Sequence, residues 1–297
     1  VVNLKDAAMN NKIKGTLAIV LSCAFFSTAS ISVKIMAGHY SGPFLSFMRF
    51  AFGCIFSIGI LFLAGKGFQI KDKRYLLMRG IFGAAAMFSF YSAIQMTSSG
   101  RATLLGGTYP VFVAILGFLI FKEQFRTNRI ISIAFCIVGI FMIFYDHSKY
   151  SFIGNMIGLL SGASSGVAVH YIKKSRARNN PMVIYLSACV FGLLISSFSV
   201  TEIVKIQSLR AFLMIMLIAA ASFVGQMLMT YGFKYVSATQ GSILGYTEIL
   251  LTIAASFFLG EDFKPRFFIG GAIIIAGLLI NQVEDYPVWN KLSRRYK

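Results

Sequence analysis

The sequence predicts an all-α integral membrane protein of ten transmembrane helices, arranged as two inverted five-helix repeats. Three observations carry this. Of 297 residues, 57% are hydrophobic and 13% charged, with a mean hydropathy of +0.74, too little polar surface for a soluble domain of this length. The apolar runs are about 20 residues long, which matches a helix crossing a hydrocarbon core of about 30 Å. The two halves of the chain also resemble each other at a fixed offset.

Taken in order, the spans read as 15–36, 43–64, 75–96, 101–121, 128–145, 152–172, 182–201, 211–233, 238–259 and 266–283. Residues 1–14, "VVNLKDAAMNNKIK", form a polar cytoplasmic segment. The run that follows is too long for a signal-peptide core and reads as a retained first span. The first repeat covers 15–145 and the second 152–283, followed by a basic cytoplasmic tail over 284–297. Gly154, Gly158, Gly162 and Gly166 recur every fourth residue in the sixth span, a spacing that lets helices pack closely.

The net charge of +18 is distributed between spans rather than gathered on a nucleic-acid-binding face. Counting Lys and Arg in alternate connections gives 20 on one side and 7 on the other, with Arg49 inside a span. Arg79 and Lys34 are counted here as loop charges of the basic and charge-poor sides. The asymmetry predicts that both termini are cytoplasmic in a multi-pass protein of the cytoplasmic membrane.

Gly15, Leu21, Ser22 and Lys34 correspond to Gly154, Leu160, Ser161 and Lys173, always 139 residues apart, and Gly106 to Gly245 likewise. "FKEQF" (121–125) echoes "LGEDF" (259–263). Five spans per half is odd, so the second half enters the membrane inverted. Many secondary transporters build a midplane site between such repeats.

"TYPVFVAILGFLIFKEQF" in the fourth span, "YTEILLTIAASFFLGEDF" in the ninth and "MRF" (48–50) in the second resemble the EamA-type proteins of the drug/metabolite transporter superfamily. The likeness extends over nearly the whole chain. It implies a transporter and leaves the substrate open. One departure stands out. The family often has Glu-Pro in the ninth span, whereas Glu248 here precedes Ile249; Tyr109-Pro110 keeps the kink in the fourth.

Glu248 lies about ten residues into its span, close to the bilayer midplane. An acid there costs about 2.5–3.5 kcal/mol on insertion scales and marks a functional site by default. Its helical face carries Gly241, Gly245, Thr252 and Ala255; the opposite face carries Ile243, Tyr246, Leu250, Ile253 and Phe257 and is expected to meet lipid. Glu248 is therefore expected to face inward, with Thr252 beside it, as a substrate- or proton-binding group; the alternative is a structural carboxylate bonded to neighbouring backbone or hydroxyls.

Polar stripes at helical spacing add Ser27 and Ser30 in the first span, Tyr91 and Gln95 in the third, and Gln226 and Thr230 in the eighth. Such stripes serve equally to line a pocket or to hydrogen-bond between helices. Tyr109 beside Pro110 can stack on a substrate or pack. Arg49 can pair with an anionic group or a backbone carbonyl, or snorkel. Glu123 and Glu261 sit at corresponding span ends and read as caps or partners of loop bases. The four cysteines lie singly in apolar spans, without metal-ligand spacing.

No phosphate loop, catalytic triad or paired catalytic carboxylates appear, so an enzyme, a cofactor and a resident metal are not expected. The expected function is secondary active transport of a small polar organic metabolite, such as an amino acid, amine or nucleoside-like compound. Alternating access would be driven by proton coupling or exchange. Partners are the solute, the lipid bilayer and a coupling proton, with no nucleic acid, in a monomer or homodimer. A non-transporting receptor or assembly protein, or an intramembrane enzyme, is the alternative.

Overall fold

The structure, a computed structural model, describes residues 2–63, 65, 70–121, 127–145, 149–176, 179–232, 234–236 and 238–283. Glu123 and the tail 284–297 lie outside them. The described residues form α1 (Val2–Met36), α2 (Gly42–Leu63), α3 (Lys73–Met96), α4 (Ser99–Gly106), α5 (Tyr109–Phe121), α6 (Thr127–Phe144), α7 (Phe152–Arg176) and α8 (Pro181–Ser196), then a 3-10 segment (Ser197–Lys205), α9 (Leu209–Gly232), α10 (Ala238–Phe258) and α11 (Pro265–Val283). Among them no strand occurs.

Among the described residues, six helical stretches are long and apolar enough to cross a membrane: Asn11–Met36, Gly42–Leu63, Lys73–Met96, Phe152–Ile172, Pro181–Lys205 and Leu209–Gly232. Shorter apolar helices run over Ile130–Phe144, Leu244–Phe258 and Pro265–Ile280. The outer surface is widely apolar, with Phe62, Leu63 and Phe258 at least 85% exposed, as a lipid-facing surface requires.

Local chemistry sets the helix ends. Ser98, in extended backbone, starts α4 by accepting the Arg101 amide at 3.0 Å. Asn180 accepts the Met182 amide at 3.0 Å, and Pro181 fills the first position of α8, where no amide partner is needed. Gly260, at φ 68°, turns the chain between α10 and α11.

The fourth expected span, 101–121, is two helices. α4 stops at Gly106, the chain turns through Gly107 and Thr108, and α5 begins at Tyr109-Pro110. Pro110 cannot supply the amide that would continue the ladder. In the second half Ile249 can, and α10 runs unbroken.

The most extensive packing pairs α1 with α9, α3 with α7 and α6 with α11. Exchanging the two halves of the chain maps the first pair onto the second and the third onto itself. Each pair joins one half to the other, so neither half forms its core alone. The sixth-span glycines are the seam of α7 against α3, α4 and α5. A Cβ on Gly154, Gly162 or Gly166 would come within 3.0 Å of Thr97, of the Leu105 carbonyl or of Phe112, respectively.

Two expectations are corrected. Tyr246 does not face lipid. It is 6% exposed, in a cluster with Leu104, Leu105, Val111 and Ile249, because α4, α5 and α11 cover that side of α10. Arg79 is not a loop charge. It lies six residues inside α3 and is 7% exposed.

Candidate functional site

The inward face of α10 holds three features in succession. A Cβ built on Gly245 meets nothing within 4 Å. The half-buried Glu248 follows one turn later and makes no hydrogen bond or ion pair with any described residue. Thr252, another turn on, is fully buried with its Oγ1 unpartnered. Bordering this space, the Cys23 thiol on α1 donates to the Leu244 carbonyl at 3.5 Å. Across it, Arg49 on α2 is within electrostatic reach of Glu248 but forms no direct ion pair with it.

Arg49 is 5% exposed. Its Nη1 contacts Met87 Sδ at 3.0 Å and donates to Tyr91 Oη at 3.3 Å, with the guanidinium 5.3 Å from the Tyr91 ring centroid. Tyr91 Oη in turn lies 3.1 Å from Ser222 Oγ on α9. A polar relay therefore joins α2, α3 and α9 beside the Glu248 face. Arg49 does not snorkel: Phe44, Leu45 and Met48 are buried around the outer part of α2.

The other expected site residues divide. Ser27 is buried on α1, and Gln226 and Thr230 are part-buried on α9; all lack a hydrogen bond to any described residue. Ser30 Oγ donates to the Phe26 carbonyl at 3.0 Å, a bond within its own helix. Gln95 Oε1 accepts the Gly42 amide at 2.7 Å and so caps α2. Tyr109 is the first residue of α5, part-buried, with its carbonyl 3.1 Å from where a Cβ on Gly166 would stand.

The charge-poor end is cross-linked. Glu261 Oε1 accepts both the Ser99 amide at 2.9 Å and Ser99 Oγ at 2.8 Å, and Ser99 Oγ meets Ser256 Oγ at 2.8 Å. Lys34 Nζ donates to the Ile94 and Thr97 carbonyls, so it closes the end of α3 rather than standing as a loop charge. Arg101, fully buried, donates to the Ile143 carbonyl at 2.8 Å and lies over the Tyr150 ring at 4.8 Å. Burial holds the Tyr150 phenol above its ordinary range, and its oxygen accepts the Asp262 amide at 3.0 Å. Glu261 caps the start of α4, as its place at a span end predicted; the rest of the latch was missed because its members come from helices and connections far apart in the sequence.

The fold is that of a multi-pass membrane protein, and its interior sets a carboxylate with no hydrogen-bond or ion-pair partner among the described residues within electrostatic reach of a buried guanidinium. The chain belongs to the EamA-like transporter family, whose model matches it twice, over residues 13–145 and 152–282. An uncharacterized transporter from Archaeoglobus fulgidus is 28% identical over 272 residues, which span 90% of this chain and 95% of that protein. The pseudopaline exporter CntI of Pseudomonas aeruginosa is 24% identical over 264 residues, 88% of this chain and 93% of the exporter. Mouse solute carrier family 35 member G1 is 31% identical over 134 residues, 43% of this chain and 35% of that one. A crystal structure at 15% identity shares the fold, with a TM-score of 0.56 over 90% of this chain and 94% of its own.

Proposed function

We propose that this protein is a secondary active transporter. It moves a small polar organic metabolite, an amino acid, amine or nucleoside-like compound, across the cytoplasmic membrane by alternating access. The ten spans act as two inverted five-helix repeats, and Glu248 binds the positive group of the solute or the proton exchanged for it. The observation that carries this reading is the half-buried Glu248 carboxylate, with no hydrogen-bond or ion-pair partner among the described residues, beside the open space over Gly245. A carboxylate kept there for structure alone would be expected to hold hydrogen bonds. The exchange symmetry of the helix pairs supports two related repeats moving against each other.

Glu248→Gln tests it in sealed proteoliposomes, with solutes chosen by a thermal-shift screen. The amide keeps size and most bonding capacity and removes the charge. Net transport should fall at least about tenfold, equivalent to about 1.4 kcal/mol, while thermal stability holds or rises. Exchange without a pH gradient then separates the two roles: a proton carrier retains exchange and a direct solute ligand loses it. Near-normal net flux at several pH values would end the proposal.

A further inference from the structure

Arg79 presents a buried charge that the transport reading does not use. Its guanidinium makes no hydrogen bond or ion pair with any described residue, and its Nε is sealed from solvent. The side chain folds along α3 over Gly83, where a Cβ would overlap Nη1, and reaches the Ala188 region of α8. There it comes within electrostatic reach of Tyr185 and Cys189 on α8 and of Arg49 on α2. Arg49 faces the same Tyr185 and Cys189, and its own Nε is also unpartnered. The Tyr185 hydroxyl completes the set: it is buried beside Arg49 and the Cys189 thiol, and it makes no well-formed hydrogen bond with either.

Two guanidinium groups and a phenol thus converge from α2, α3 and α8, and the acceptors facing them among the described residues are neutral, the Tyr91 and Tyr185 oxygens, the Met87 thioether and the Cys189 thiol, with no carboxylate paired to either arginine. Of the ten acidic residues in the sequence, only Glu248 lies deep within an apolar span, and it reaches Arg49 without pairing. Two like charges buried side by side repel and need a counter-charge. Guanidinium forks match the oxygens of carboxylates and phosphates in geometry.

We propose that Arg79, Arg49 and the Tyr185 hydroxyl form a binding site for an anionic oxygen group, carboxylate or phosphate, and that this group belongs to the transported solute. The second part rests on the transport reading. Arg49 is within electrostatic reach of both Arg79 and Glu248, so the cargo is a zwitterion whose positive end lies toward Glu248 on α10 and whose negative end lies between α2, α3 and α8. Gly83 is the specificity element: without a Cβ, it lets the Arg79 guanidinium lie against α3.

The test uses the full chain, purified in detergent, and follows thermal unfolding in acetate or inorganic phosphate against chloride at matched ionic strength and pH. At least one of the two oxyanions should stabilise the protein saturably. A response to acetate alone assigns a carboxylate, and one to phosphate alone a phosphate; both support the site. Arg79→Met should weaken the apparent affinity at least about tenfold. Arg79→Lys, which keeps the charge but loses the fork, and Tyr185→Phe should weaken it by smaller factors, and they serve if the Met variant does not fold. No saturable difference from chloride in the wild type, or an undiminished response in Arg79→Lys and Tyr185→Phe, overturns the proposal. The readout is binding rather than flux. An absent anion response with Glu248-dependent transport removes this site alone, and an intact response without transport removes the transport reading alone.

Discussion

Gly245 and Gly162 make a paired test of where the interior is open and where it is closed. Both are helical glycines, but a Cβ at Gly245 meets nothing within 4 Å, whereas one at Gly162 would stand 2.9 Å from the Leu105 carbonyl, 2.9 Å from Thr108 Oγ1 and 3.2 Å from the Gly106 carbonyl. Gly245→Leu recovers helix propensity, about 0.8 kcal/mol, with no clash at the first side-chain atom. Its side chain occupies the space one turn from Glu248. Stability should therefore hold or rise slightly while transport falls at least about tenfold, about 1.4 kcal/mol in the barrier. Gly162→Ala gains about 1 kcal/mol of propensity but drives a methyl into backbone carbonyls that cannot rotate away. Overpacking costs about 1–3 kcal/mol, which leaves a net loss of about 1 kcal/mol. Unfolding by denaturing detergent in bicelles measures the stabilities, and initial flux in proteoliposomes measures the activity. If Gly245→Leu is destabilised as much as Gly162→Ala, or transports like the wild type, the assignment of open space beside Glu248 is refuted.

Two further outcomes follow from the hydrogen bonds. Gln95→Ala removes the acceptor of the Gly42 amide and should cost about 1 kcal/mol of stability with the solute KM unchanged; a raised KM in flux assays would return Gln95 to the binding site. Glu261→Ala removes a charged acceptor holding Ser99, a bond class worth about 1.5–3 kcal/mol, and amide exchange at the start of α4 should rise at least about tenfold. Unchanged exchange would show that Glu261 does not latch that end.

Most helix positions were legible because an apolar run of bilayer length has few other readings; the start of α1 at Val2 and the break at Gly107 and Thr108 inside the fourth expected span were not. On α10, period-3.6 reasoning placed Glu248, Gly245 and Thr252 together on the inward face. The same reasoning failed for Tyr246. A stripe on one helix distinguishes bulky from small side chains, but not lipid from a neighbouring helix, and α4, α5 and α11 supply neighbours there. Arg79 was hidden for a related reason. A base near a span end reads as a topology signal, and only the course of the side chain over Gly83 reveals that it turns inward. Gln95 shows the converse. It sat on a plausible polar stripe, yet its acceptor is taken by a backbone amide 53 residues away in sequence, a pairing no local pattern encodes.

The break at Pro110 is matched in the second half by the unbroken α10 at Ile249. If the halves were mechanically alike, swapping their conformations would turn one end state into the mirror of the other at equal energy. Here one arm carries a joint between Gly106 and Tyr109, and its counterpart is a stiff rod bearing Glu248. Bending concentrates in the jointed arm, while the rod can only tilt as a whole and carries its carboxylate with it. Under the alternating access proposed above, the two directions of access would then be unequal in energy even with no gradient and no solute, and the empty carrier would have a preferred resting side. Straightening the joint or breaking the rod would move that preference without altering a single residue that touches the cargo.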